Sequence, residues 1–197
     1  MSDDAELVAR LRAGDEAAFV SLVDRFHAPM LRFAATFVPN RAIAEEVVQE
    51  SWLGVVRGIG QFEGRSSLRT WLFSIVANCA RRTGARERRQ TPVDFADERA
   101  VPEERFGPRG EWTSPPVPWV EESVDRIAAG QVVASIRSCF DALPAAQRQA
   151  VLLRDFEGLP AVEVCAMLGI SEGNLRVLLH RGRARIRNQV EIELGRS

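Results

Sequence analysis

Apolar residues recur at helical spacing through most of the chain, and the period-two alternation that a half-buried strand needs is missing. A chain patterned this way buries stripes along helices, so an all-α fold is expected. The first stripes carry Leu7 and Leu11, then Phe19, Leu22, Val23 and Phe26, and beyond Pro29 an apolar run from Met30 to Val38 that Pro39-Asn40 ends. A further helix is expected from Ile43 to Gly58, with Val48, Trp52, Val55 and Ile59 as its stripe. Glu45, Glu46, Gln49 and Glu50 lie off that stripe, as a solvated face or a contact surface.

Glycines 58, 60 and 64 then surround Phe62, and Ser66-Ser67 offer a helix cap ahead of Leu68, Leu72, Ile75 and Cys79 on one side of a helix that ends in arginines. From Thr91 to Glu122 the texture changes, because six of the ten prolines fall there among many acids. Such a stretch reads as a linker. Its Trp112 and Trp119 either dock on a neighbouring domain or sit in a solvated tether. Helical periodicity resumes with Ile127, Val132, Ile136 and Phe140. The expected organisation is therefore a helical domain over 5–90, an acidic proline-rich linker over 91–123 and a second helical domain over 124–194, and 197 residues suffice for both cores.

A net charge of −1 hides an uneven distribution of 26 cations, all of them arginine. Local charge decides what each surface can bind. Cys79, Cys139 and Cys165 lie far apart inside apolar patterns, which argues for core thiols in a reducing cytoplasm and against a disulfide framework or a metal cluster. The stretch from Met1 to Glu6 is acidic where a secretion signal is basic and then apolar. No run approaches the ~20 apolar residues of a membrane span, so a cytoplasmic chain without membrane insertion is expected. No cofactor is called for.

The segment Leu159 to His180 is the most informative. Two short helices meet at Gly169, with Pro160 in a first-turn position, Ser171 capping the second helix, and Val164, Leu168, Ile170, Leu175 and Leu179 placed to lock the pair. That is a helix-turn-helix. The second helix carries Arg176, Arg181, Arg183, Arg185 and Arg187, with His180 among them. A helix macrodipole accounts for one or two cations near a helix end, not for five; clamping a phosphate backbone accounts for all of them. Arg176 and Arg181 are expected at bases or phosphates, Val177 and His180 at the groove, Arg183 and Arg185 on the backbone, and Asn174 at the helix start as a further contact.

The run Gln61-Phe-Glu-Gly-Arg-Ser-Ser-Leu-Arg-Thr-Trp-Leu-Phe-Ser-Ile-Val-Ala-Asn-Cys-Ala-Arg-Arg82 closely resembles the promoter-melting segment of the extracytoplasmic-function group of sigma factors. Members of that group show a phenylalanine-glycine loop, a Thr-Trp-Leu helix and an alanine-asparagine followed by basic residues. The resemblance reaches upstream through Asp15 to Phe19 and Ala44 to Glu50, and downstream from Leu143-Pro144 to Arg187; the linker lies outside it. It implies a non-enzymatic initiation factor that binds core RNA polymerase and promoter DNA and is held by an anti-sigma partner. It further implies that Glu45, Glu46, Gln49 and Glu50 dock on the coiled-coil clamp of the polymerase large subunit. The loop with Phe62, Arg65, Ser66 and Ser67 would capture an unstacked base, with Asn78 at its floor and Arg81 and Arg82 against phosphates. Phe62 and Trp71 also read as core residues. Val177 and Leu178 depart from the polar or basic residues common in the group, which suggests an apolar contact such as a thymine methyl. The long linker either threads the polymerase or folds back over a DNA-binding surface.

Three other function classes fit less, one being an interaction protein that sequesters or bridges other factors, where the resemblance implies instead a client of an anti-sigma partner. A magnesium nuclease needs two or three acids converging on a rigid site, whereas Asp94, Asp97, Glu103 and Glu104 sit in the linker. A helix-turn-helix regulator that works without polymerase predicts a sensor domain in place of the amino-terminal pattern.

Overall fold

The computed structural model describes residues 2–90 and 126–193, and every regular element among them is helical. The order is α1 (Ser2–Arg12), α2 (Glu16–Ala34), α3 (Arg41–Gly58), a 3-10 turn (Ile59–Gln61), α4 (Leu68–Gln90), α5 (Arg126–Asp141), α6 (Ala145–Val151), a π-turn (Leu152–Phe156), α7 (Ala161–Leu168) and α8 (Glu172–Glu193). The expected linker over 91–123, with Trp112 and Trp119, lies outside the described residues. The chain divides into two compact units whose described parts are 2–90 with 152–175, and 126–151 with 176–193. The boundary falls inside the carboxy-terminal stretch.

In the first unit α2, α3 and α4 pack on one another, with α1 against α2. Each starts where a short polar side chain takes up a free backbone N–H: Asp15 accepts from Ala18 at 3.1 Å, Asn40 from Ile43 at 3.0 Å, and Ser67 from Thr70 at 3.1 Å. The arginine Arg10 also donates to Asp15 at 2.8 Å, and this bond above all, with the Ala18 N–H, keeps the Asp15 carboxyl below its ordinary range. The core joins Leu22, Phe26, Met30 and Phe33 of α2 to Val47, Val48 and Val55 of α3 and to Leu68, Leu72, Phe73 and Val76 of α4. Phe33 centres it, 5.5 Å from the Phe73 ring and 5.1 Å from that of Phe37.

Pro29 does not separate two helices. It lies inside α2, which runs on to Ala34. An interior proline removes a helix hydrogen bond, yet Phe26, Met30 and Phe33 on one buried side keep the helix continuous, so packing outweighs the local preference. Trp52 of the expected α3 stripe is only half buried; its ring meets Phe19 edge-on at 5.8 Å, and its indole N–H donates to His27 Nδ1 at 3.3 Å.

In the second unit Leu143, Ala150, Val151, Ala184 and Val190 are buried. Gly182 permits a close approach here. A Cβ at that position would stand 2.8 Å from Val151 Cγ2 and 3.7 Å from Gln147 Cβ.

Candidate nucleic-acid interface

The turn between α7 and α8 forms because Gly169 adopts the left-handed conformation, φ +69°, that a side chain disfavours. Its N–H donates to the Cys165 carbonyl at 2.9 Å, and Ser171 Oγ takes up the Asn174 N–H at 3.2 Å to start the next helix. Pro160 stands one residue ahead of the first turn of α7, at its cap. Of the residues expected to lock the pair, Val164, Leu175 and Leu179 are buried and Leu168 and Ile170 half-buried.

Along α8 Leu175, Leu179, Gly182 and Val190 form a buried stripe, and Ala184, on the opposite side, is buried as well. At 3.6 residues per turn, Val177 lies on the crown opposite that stripe, with Arg181 one turn further on. Arg176 and Arg183 fall on one flank, Asn174 and Arg185 on the other. Asn174, Arg176, Val177, Arg181 and Arg183 are exposed, while His180 and Arg185 are half-buried. The predicted residues thus share one arc of α8, open to solvent at Asn174, Arg176, Val177, Arg181 and Arg183. The Arg185 backbone is fixed from below, since Cys139 Sγ donates to its carbonyl at 3.6 Å; burial pushes the Cys139 thiol above its ordinary value.

The loop between α3 and α4 is anchored from a distance. Arg12 of α1 donates to the Ile59 carbonyl at 3.3 Å and to the Phe62 carbonyl. Phe62 is buried, its ring centroid 5.1 Å from that of Trp71, so it belongs to the core and not to an exposed stacking platform. A correction also applies to Asn78. It lies ten residues into α4, about 15 Å along the axis from the loop, where it accepts from Arg81 at 3.1 Å. Near the loop, Phe62 packs on Trp71 of α4. Arg65 is exposed beyond them, paired with Glu63, and Gly64 turns the chain at φ +72°. Ser66 is half-buried, and the Ser67 hydroxyl is engaged as the α4 cap.

On α3, Glu46, Gln49 and Glu50 are exposed, and Glu45 is half-buried with an ion pair to Arg41 at 2.8 Å. Leu53 and Val56, one and two turns on from Gln49, are exposed as well and extend that face with apolar surface. Their spacing from Gln49 was the signal in the sequence for them. Glu50 pairs with Arg82 of α4 at 2.8 Å, and Arg81 donates to the Met167 carbonyl. Arg69, Thr70, Glu157 and Glu163 also interact, through Arg69 with Glu157 and Thr70 with Glu163. Nothing in their spacing foretold it. No group of three His, Cys, Asp or Glu among the described residues could hold a metal ion, and no helix there is long and apolar enough to cross a membrane.

The sequence matches the family model Sigma-70 region 2 over residues 22–90 and the model Sigma-70, region 4 over residues 134–186. It is 29% identical to the ECF RNA polymerase sigma-E factor of Salmonella typhimurium over 95% of this chain and 94% of that protein. It is 30% identical to the RNA polymerase sigma-H factor of Pseudomonas aeruginosa over 93% and 91% respectively. Among solved structures, the sigma factor RpoE of Bartonella quintana, in complex with the anti-sigma factor NepR, superposes with a TM-score of 0.53 at 21% identity, covering 87% of this chain and 98% of that one.

Proposed function

Because the chain belongs to the extracytoplasmic-function group of the sigma-70 family, we propose that it directs core RNA polymerase to specific promoters and initiates transcription by binding alone. The observation that carries this reading is the solvent-facing arc of arginines on α8 behind a glycine-turned helix pair, joined in one chain to an α3 face of opposite character. An acid and amide face suits an arginine-bearing partner helix, and an arginine arc suits duplex phosphates.

In this reading residues 5–90 anchor to polymerase through Glu45, Glu46, Gln49 and Glu50, joined by Leu53 and Val56. Residues 124–194 read the upstream promoter element as duplex, with Val177 and Arg181 toward the bases, Asn174, Arg176 and His180 beside them, and Arg183 and Arg185 on the backbone. Arg65, Ser66 and Ser67 receive an unstacked base of the downstream element, while Asn78, Arg81 and Arg82 meet the strand further along α4. Phe62 acts from beneath, by holding the loop in shape. The segment 91–123 tethers the two parts. The chain works in the cytoplasm, beside the polymerase, and an anti-sigma factor restrains it, as the Bartonella relative is captured by NepR.

The test is co-elution of the purified chain with bacterial core polymerase, followed by transcription from a library of genomic fragments. Specific starts sharing an upstream and a downstream element are expected. Binding of isolated duplex with no affinity for active core would overturn the proposal in favour of a polymerase-independent regulator.

A further inference from the structure

A glycine inside an α-helix weakens it, because the bare backbone loses more freedom on folding than alanine does at the same place. Elsewhere among the described α-helical glycines a close neighbour accounts for the choice. A Cβ on Gly54 would stand 3.2 Å from Ile75, one on Gly58 3.2 Å from Trp71, one on Gly84 2.8 Å from the Phe37 carbonyl oxygen, and one on Gly182 2.8 Å from Val151. Gly14, Gly64, Gly158 and Gly169 instead turn the chain at positive φ. Gly173, the second residue of α8, does neither. It is exposed, in ordinary helical backbone, and an added Cβ would meet only Ser171 Oγ at 3.9 Å. No described residue needs the missing side chain, which leaves the requirement on the outer face of α8.

On that face Gly173 has a definite place. At one turn per step it heads the row Gly173, Val177, Arg181, all three exposed and turned away from the buried Leu175 and Leu179. Along the row the side chains lengthen, from none to a valine to an arginine. Between Gly173 and Arg181 the axis advances about 12 Å while the reach beyond Cα grows by roughly 6 Å, at ~1.5 Å per bond. A surface touched by all three is therefore inclined to the axis by roughly 25–30° and comes closest at Gly173, where it meets main chain.

We propose that Gly173 is the point at which the α8 main chain touches base edges on the floor of the DNA major groove, and that its missing side chain sets how deep the helix enters. The proposal rests on the functional reading above, which gives α8 a duplex to read. The row then works as a set. Gly173 admits the first turn, Val177 meets an apolar base edge such as a thymine methyl, and Arg181 spans the wider gap to the bases further along. Val177 is the member most sensitive to depth, since a short, stiff side chain does not follow a receding surface as a long arginine does. Bulk at position 173 thus lowers selectivity by lifting Val177 off its base.

The test compares Gly173→Ala and Gly173→Leu with the parent chain in urea unfolding, in affinity for core polymerase and, as holoenzyme, in affinity for a duplex carrying the upstream element recovered from the fragment library. Both variants should bind core polymerase as the parent does, and Gly173→Ala should unfold at a higher urea midpoint. Affinity for the upstream element should nevertheless fall about tenfold for alanine and further for leucine, on the scale of overpacking a close contact by a methyl. In the Gly173→Ala background, Val177→Ala should cost little more, whereas Arg181→Ala should still show its own loss. A glycine kept for folding alone predicts the opposite sign, a lowered urea midpoint. Unaltered upstream-element affinity in both variants, or a loss that falls on core polymerase rather than on DNA, would overturn the contact. A parent holoenzyme that prefers no upstream duplex would overturn the functional reading and the proposal with it, and the parent chain alone tells that outcome from the others.

Discussion

Replacing Gly182 by alanine sets two effects of known size against each other. In a helix interior, alanine is favoured over glycine by about 1 kcal/mol. Here, however, the new Cβ would lie 2.8 Å from Val151 Cγ2, inside any real contact distance, on a side chain that is 2% exposed and β-branched, hence stiff. Overpacking of this kind costs typically ~1–3 kcal/mol, so the net expectation is a loss of about 1 kcal/mol. Gly173, on the same helix, is the internal control, because a Cβ there meets only Ser171 Oγ at 3.9 Å. Its alanine variant should gain about 0.5 kcal/mol. Urea unfolding of both variants gives the comparison directly. Val151→Ala should relieve the clash, so that the double variant with Gly182→Ala is more stable than the two single losses add up to, by about 1 kcal/mol. Since Gly182 lies between Arg181 and Arg183, the single variant should also weaken binding to the upstream element. A Gly182→Ala chain stabilised as much as the Gly173 control would refute the close approach of α8 to α6.

Three further outcomes are expected. Arg176→Ala and Arg181→Ala should each weaken holoenzyme binding to the upstream element by ~1–3 kcal/mol if they reach bases, or lower the slope of log affinity against log salt by about 1 if they reach phosphate; titration at several salt concentrations separates the two. Gly84→Ala puts a Cβ 2.8 Å from the Phe37 carbonyl oxygen, a backbone atom, and should lower the unfolding free energy by about 1–2 kcal/mol in a urea titration. The folded-state pKa of Asp15 is depressed from an ordinary 3.8, so its contribution is complete above that value and is lost as pH falls through the lower folded-state value. Asp15→Asn should therefore show less acid-induced loss of helicity below about pH 4 by circular dichroism than the parent chain.

The helix-turn-helix was legible because local chemistry determines it: Gly169 for the left-handed turn, Ser171 for the cap, and a stripe through Leu175 and Leu179 that leaves the arginines outside. The α3 stripe was legible for the same reason, apart from Trp52, whose position depends on Phe19 and His27 in another helix. Pro29 misled because local preference predicts a break where buried neighbours on both sides impose continuity. Phe62 and Asn78 show the limit of a short motif. The resemblance implied one pocket, whereas helical rise separates Asn78 from the loop and Phe62 packs on Trp71. Glu157 was illegible, since Phe-Glu-Gly reads as a polar turn until arginines from two other helices close on it.

The Arg12 anchor bears on the thermodynamics of the base capture proposed for the loop. With the Ile59 and Phe62 carbonyls tied to α1 and Ser67 committed as a cap, the span left to rearrange between Phe62 and Ser67 is four residues, Glu63 to Ser66. A glycine-rich loop free from Gly58 onward would surrender conformational entropy on seating a nucleotide, at roughly 1–2 kcal/mol for each backbone residue ordered. Most of that loss is already incurred on folding, so under the proposed function a flipped base would meet a nearly preformed cradle, and discrimination between bases would rest on contacts rather than on the ordering of the loop.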